Sequence, residues 1–118
     1  MRGMNQQQSQ PLRPRVLSIA GTDPTGGAGA QADLKSIMAA GGYGMSVITA
    51  LVAQNTQGVR EIHTPPLDFL CAQLDCVFED VAVDAVKIGM LGDTATIQAV
   101  RDYCLLYTSP SPRDQRGS

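Results

Sequence analysis

Apolar and polar positions fall into alternating short and long blocks along this chain. Val16-Leu17-Ser18-Ile19-Ala20 is a brief apolar run closed by Gly21. Such a run, ended by glycine, predicts a buried strand starting near Arg15. Thr22 to Gly29 reads as a loop, punctuated by Pro24 and by Gly26, Gly27 and Gly29. From about Ala30 to Ala40 the apolar positions Leu34, Ile37 and Met38 take helical spacing, and Gly41-Gly42 stop the helix. MSVITALVA, residues 45–53, is apolar at almost every position and rich in β-branched side chains. It predicts a single central strand covered on both faces. Gly58 to His63 alternates more openly, with Val59 and Ile62 on one side, and suits an edge strand. Pro65-Pro66 open a second helix in which Leu67, Leu70, Cys71, Leu74, Val77 and Phe78 follow the helical period. Asp68 near its start suits the helix dipole. DAVKI, residues 84–88, is a further strand closed by Gly89. Asp93 or Thr94 then caps a third helix whose buried stripe is Ile97, Val100 and Cys104.

Strand and helix alternate three times, which predicts βαβ units and an α/β fold on a parallel sheet. In such sheets ligands gather beyond the carboxyl ends of the strands. Three segments should meet there: the loop after Ala20, the Ala53-Gln54-Asn55 end and the Gly89-Met90-Leu91 end.

Composition divides the chain into one ordered body with two flanks. Residues 1–14 are rich in Gln, Arg and Pro and are expected to be disordered. Residues 15–106 form the body. Residues 107–118 (YTSPSPRDQRGS) break every preceding pattern and read as a tail foreign to the natural protein, similar to translated adapter or vector sequence. The body holds 5 basic and 10 acidic residues, a net of −5, within a chain of formal net charge −2. It lacks the basic face that binds nucleic acid, so that partner is excluded. No apolar run approaches the length needed to cross a bilayer, and the first residues have no secretory h-region. A soluble, cytoplasmic protein with no membrane partner is expected. Cys71, Cys76 and Cys104 lack metal-ligand spacing and read as buried thiols in a reducing compartment.

The stretch AGTDPTGGAGAQADLK, residues 20–35, looks like a phosphate-binding loop without its lysine: Gly27 and Ala28 stand where Lys and Ser or Thr belong. Gly27, Gly29 and Ala32 fit a dinucleotide pattern, yet the positions about 20 residues on, Leu51 to Ala53, offer no ribose-binding acid. What remains is backbone that lets a ligand approach closely, beside a helix N-terminus. Asp33, placed in the first turn of that helix, is a ligand-binding candidate or a surface acid favoured by the dipole. Gln54 offers an acceptor beside a donor, which pairs with a heterocycle edge bearing an amino group next to a ring nitrogen. It could equally cap its strand. Lys87 is a candidate phosphate ligand or a snorkelling surface residue, and Met90 lines a pocket or fills core.

Three blocks together, AGTDPTGGAGAQADLK, YGMSVITALVAQNTQGV and VDAVKIGMLGD, resemble the N-terminal part of hydroxymethylpyrimidine/phosphomethylpyrimidine kinases of the ribokinase-like superfamily. The resemblance runs over about residues 15 to 104. The pyridoxal-kinase-like branch shares the loop and the fold, and a pyridoxal-kinase-like enzyme or a non-catalytic small-molecule-binding domain of the same fold is the alternative reading. The resemblance implies a three-layer ribokinase-like fold, of which this chain holds the N-terminal portion. It implies ATP-dependent phosphorylation of 4-amino-5-hydroxymethyl-2-methylpyrimidine and its monophosphate in thiamine biosynthesis, with Mg²⁺, by a homodimer. It further implies that Gly21, Ala28, Asp33, Gln54 and Met90 line the pocket for the small pyrimidine. Gln54 would grip the aminopyrimidine edge, Asp33 would orient the hydroxymethyl group and Met90 would pack on the ring. The family's nucleotide-binding loops and its G-T-G-C-like turn with the catalytic base have no counterpart here. The catalytic residues are therefore expected outside these 118 residues, which alone should be inactive.

Overall fold

The computed structural model describes residues 13–107. The expectations of disorder over residues 1–14 and of a foreign tail over residues 107–118 lie outside the described residues except at Arg13, Pro14 and Tyr107, where Pro14 O accepts the N–H of Tyr43 at 2.8 Å and Tyr107 ends α3. In chain order the elements are β1 (Arg15–Ala20), α1 (Gly29–Ala39), β2 (Tyr43–Ile48), β3 (Leu51–Asn55), β4 (Gly58–His63), α2 (Leu67–Asp80), β5 (Ala85–Ile88) and α3 (Thr94–Tyr107). β1 lies between β2 and β5 in a three-stranded sheet, parallel to both.

Alternation along β1 assigns its two faces. Leu17 and Ile19 point to one face and join Val47, Leu70, Leu74 and Val100 in the core, beneath α2 and α3. Ser18 points to the other face, where α1 lies and where its hydroxyl reaches Asp33. The result is three layers, with α1 on one side of the sheet and α2 with α3 on the other. Each fully buried aliphatic side chain contributes about 1.5–3 kcal/mol, so this small cluster carries much of the driving force for folding.

Helix ends follow from local chemistry. Gly41 has φ +91°, its N–H donates to Met38 O at 3.0 Å, and the N–H of Gly42 donates to Ile37 O at 2.8 Å. This is the Schellman arrangement, and the positive φ is what glycine supplies. Asp93 accepts the N–H of Thr96 at 2.8 Å and caps α3. The buried stripe of α3 differs from the expected one: Val100 is buried and Cys104 half-buried, but Ile97 is 48% exposed and Thr96 takes the inner position. The thiols differ too, since Cys76 is exposed and Cys71 only half-buried.

The expected single central strand over residues 45–53 is two strands, and β1 is the central one. After Ile48 the chain bends. The N–H of Thr49 closes the β1 ladder on Ala20 O at 3.0 Å, and the next carbonyl, Ala50 O, accepts the N–H of Thr22 at 3.0 Å. β3 then leaves the main sheet to pair antiparallel with β4. The apolar composition of both halves hides this break, because the hydrogen-bonding partners rather than the side chains decide it, and the second half is in fact half-exposed, with Leu51 at 50%. In β4, Arg60 is the extra residue of a bulge, since Ala53 faces Glu61 while Gln54 faces Val59. The bulge brings Val59 and Ile62 to the same face, opposite Gln54 and Val52. At the end of β2, the amide of Gln73 from α2 substitutes for a strand, accepting the N–H of Ile48 at 3.0 Å and donating to its carbonyl at 2.9 Å. Among the described residues no helix is long and apolar enough to cross a membrane.

Candidate functional site

The glycine loop between β1 and α1 is organised by a carboxylate of its own. Asp23 is 4% exposed. It accepts the hydroxyl of Thr25 at 2.9 Å, the N–H of Thr25 at 3.1 Å and the N–H of Gly27 at 3.0 Å. These bonds, the Thr25 hydroxyl foremost, hold its carboxyl below the ordinary carboxylate range against the opposing effect of burial. Lys35 reaches back from α1 to donate to Gly26 O at 2.8 Å. The loop's donors are thus spent on an internal anion, at the place where a phosphate loop would receive an external one. The residues present do not fit a nucleotide triphosphate. The Asp-Pro-Thr sequence is a turn signal that points to this role for Asp23.

Gly29 sits where the loop enters α1 and has φ +63°. A Cβ there would lie 2.5 Å from Gly21 O, the carbonyl that accepts the N–H of Ala30 at 2.8 Å. Gly29→Ala is expected to lower stability by about 2 kcal/mol or more, through left-handed strain plus displacement of that bond. Gly41→Ala, with nothing within 4 Å of its Cβ, should cost only the strain, about 1 kcal/mol. Urea melts of the two variants check the difference.

Beyond the carboxyl ends of β1 and β5 lies a cavity of about 630 Å³, walled on its far side by the β3–β4 hairpin. Gly21, Asp33, Gln54 and Met90 all line it, as do Thr49, Lys87 and Asp93. The three segments expected to converge do so. Ala28 is the exception: it is the exposed N-cap position of α1 and is not part of the cavity wall. Met90 is 91% exposed at the lip. Thr22 ties the hairpin to the glycine loop by accepting the N–H of Val52 at 2.9 Å.

Asp33 lies in the second turn of α1, not the first, so the helix dipole is not what holds its charge. Its two oxygens are gripped separately: Ser18 Oγ donates to Oδ2 at 2.7 Å and Lys87 Nζ to Oδ1 at 2.7 Å. Burial pushes its pKa up, but the bonds and charge of Lys87 and the Ser18 bond outweigh that and leave it below the ordinary value. Ser18 and Lys87 are register partners on adjacent parallel strands, so their side chains emerge side by side toward α1. Lys87 is therefore neither a free surface cation nor a free phosphate ligand. Sequence reasoning missed this trio, whose members stand 15 and 54 residues from Asp33. Among the described residues no group of three His, Cys, Asp or Glu is placed to hold a metal ion.

Asp23, Asp33, Asp84 and Asp93 all have lowered pKa values. A folded-state value below the unfolded one gives stability that is present above the unfolded pKa. It is lost as pH falls through the folded pKa. The urea midpoint should stay level from neutrality down to about pH 5 and fall steeply below about pH 4. A midpoint that rises on acidification would contradict this set of contacts.

Residues 23–111 match the protein family described as phosphomethylpyrimidine kinase. The chain belongs to the phosphomethylpyrimidine kinase family. It is 59% identical over 95 residues to the hydroxymethylpyrimidine/phosphomethylpyrimidine kinase of Escherichia coli, covering 80% of this chain and 36% of that protein. It is 74% identical over 91 residues to the thiamine biosynthesis multifunctional protein ThiED of Corynebacterium efficiens, covering 77% of this chain and 12% of that protein. Among solved structures it resembles phosphomethylpyrimidine kinase from Clostridium difficile, with TM-score 0.76, 45% identity, and coverage of 80% of this chain and 41% of that one. A pyridoxal kinase from Staphylococcus aureus, solved with AMP-PCP and pyridoxal, gives TM-score 0.76 at 32% identity, covering 84% of this chain and 37% of that one. The fold is thus the ribokinase-like α/β fold, and the chain spans well under half the length of these family relatives.

Proposed function

We propose that this chain supplies the alcohol-binding part of a kinase that phosphorylates 4-amino-5-hydroxymethyl-2-methylpyrimidine and its monophosphate. One observation carries the reading: in a member of this family, Asp33 and Gln54 enter the same cavity from opposite walls, with Gly21 between the loop and the hairpin. Gln54 presents an amide that matches an aminopyrimidine edge. Asp33 is an acceptor for the hydroxymethyl O–H, and Met90 at the lip is a mobile apolar cover for the ring. The glycines let backbone approach the small ligand, while Asp23 keeps the loop shut to phosphates.

ATP and Mg²⁺ belong, on this reading, to the length of the relatives that this chain does not span. Phosphoryl transfer rests on positioning and charge neutralisation, and the cavity here contributes only the positioning of the acceptor alcohol. The 118 residues mixed with ATP, Mg²⁺ and the alcohol should therefore give no phosphorylated product.

The likeness to pyridoxal kinase at 32% identity supports a second reading, a pyridoxal-type alcohol in the same cavity. Calorimetric titration with the aminopyrimidine alcohol and with pyridoxal separates the two. Tighter binding of the aminopyrimidine supports the first reading. Tighter binding of pyridoxal replaces it with the second, and binding of neither overturns both.

A further inference from the structure

Asp33 could serve a ligand in either of two ways. A loosely held carboxyl could take or give a proton. A clamped carboxylate can only accept. The geometry around it distinguishes these. A carboxylate has about four lone-pair directions over its two oxygens. One direction on each oxygen is already filled at 2.7 Å, by Ser18 Oγ and by Lys87 Nζ. Ser18 is fully buried, so its hydroxyl has no competing water. The Lys87 side chain is 57% exposed while that of Asp33 is 12% exposed, so the carboxylate is the better shielded member of the pair, and both line the cavity. Charge-assisted bonds on both oxygens fix the plane of the group as well as its charge.

The rest of the surroundings do not offer Asp33 another partner of this kind. Among the described residues that line the cavity, the only charged side chains are Asp33, Lys87 and Asp93. Asp93 caps α3 through Thr96. Lys35, on the same helix as Asp33, is turned away to Gly26 O, and Asp23 is turned inward on its own loop.

We propose that Ser18 and Lys87 are positioning residues that hold the Asp33 carboxylate as a fixed acceptor for the ligand's hydroxymethyl O–H, so that they set the preference for an alcohol over its deoxy analogue. This rests on the proposed aminopyrimidine-alcohol site. Ser18 fixes Oδ2 from the sheet and Lys87 fixes Oδ1 from the neighbouring strand. Each oxygen keeps one acceptor direction unfilled by these two bonds, and Asp33 lines the cavity. A ligand that brings an O–H there is matched, and one that brings a methyl group leaves a charged acceptor unpaired.

The test is a pair of titrations of the 118-residue chain, one with 4-amino-5-hydroxymethyl-2-methylpyrimidine and one with the analogue bearing a 5-methyl group in place of the hydroxymethyl. The unsubstituted chain should prefer the alcohol by about tenfold, the worth of one hydrogen bond to a charged group. Lys87→Met and Ser18→Ala should each shrink that preference toward unity, and Lys87→Arg should retain most of it. The carboxyl-carbon NMR titration of Asp33 should move to higher pH in Lys87→Met. A merely structural ion pair would weaken both ligands alike and leave their ratio unchanged. An unchanged ratio in both Lys87→Met and Ser18→Ala overturns the positioning role while leaving the binding site intact. Failure of the unsubstituted chain to bind either ligand overturns the proposed site and the positioning role with it.

Discussion

Replacing Leu74 with alanine is expected to remove most of the chain's stability at room temperature. Leu74 is fully buried and is the point where α2 meets the sheet residues Leu17, Ile19 and Val47. Leucine-to-alanine changes at such sites cost about 2–5 kcal/mol, because the cavity left behind adds to the lost transfer energy. Domains of this size start from about 5 kcal/mol or little more. Phe69, Ile88 and Met38 remain exposed, which places the chain toward the low end. The substitution therefore consumes most of the margin. Circular dichroism through a urea series reads the result directly. Loss of the folded baseline, or a midpoint shifted far toward zero denaturant, is the expected outcome. Leu105→Ala serves as the control: Leu105 is 71% exposed, and its loss should move stability by no more than about 0.5 kcal/mol. Equal midpoints for Leu74→Ala and the unsubstituted chain would show that the core does not lie between α2 and the sheet.

Substituting Asp33 and Gln54 together by alanine is expected to remove binding of the aminopyrimidine alcohol, by a factor of about a hundred or more. The two side chains enter one cavity of about 630 Å³ from α1 and from β3. A hydrogen bond to a charged group contributes about 1.5–3 kcal/mol and a neutral one about 1 kcal/mol. Their combined loss corresponds to about two orders of magnitude or more in Kd. They share one ligand, so the double variant need not equal the product of the single ones. Met38→Ala, on the exposed side of α1 at 71% exposure, should bind as the unsubstituted chain does. Calorimetry on the three proteins checks the prediction, and full affinity in the double variant would remove both residues from the site.

Local pattern made the existence of β1, α1, α2, β5 and α3 legible, because each is bounded by glycine, proline or a capping acid, but the period misplaced Met38 of α1 and Ile97 of α3, which are exposed. The cavity's position followed in part from the strand ends, since Gly21 and Met90 stand beyond β1 and β5 of the parallel sheet, whereas Gln54 reaches it from the β3–β4 hairpin, outside that sheet. The break at Thr49-Ala50 was not legible. Met45 to Ala53 is apolar on both sides of it, and only the ladder bonds of Thr49 to Ala20 and of Thr22 to Ala50 reveal where the chain leaves the sheet. The clamp on Asp33 was hidden for a different reason. It depends on the register that sets Ser18 beside Lys87 and on the face of β1 that α1 covers, neither of which is written in any local window. Asp23 stood in plain view, but its neighbours drew attention as possible phosphate donors, when their donors turn inward to Asp23 itself. Gln73, bonded to the backbone of Ile48 from 25 residues away, left no sequence signal at all.

The most direct trial of the glycine loop as an alcohol cradle is a nitrogen–proton NMR titration of the 118-residue chain with two ligands in turn. With the aminopyrimidine alcohol, saturable shifts should gather at Gly21, Asp33, Gln54 and Met90. With ATP and Mg²⁺, the amides of Gly26 and Gly27 should stay where they are. Saturable movement of those two amides with ATP, and none of the first four with the alcohol, would contradict the account at its centre.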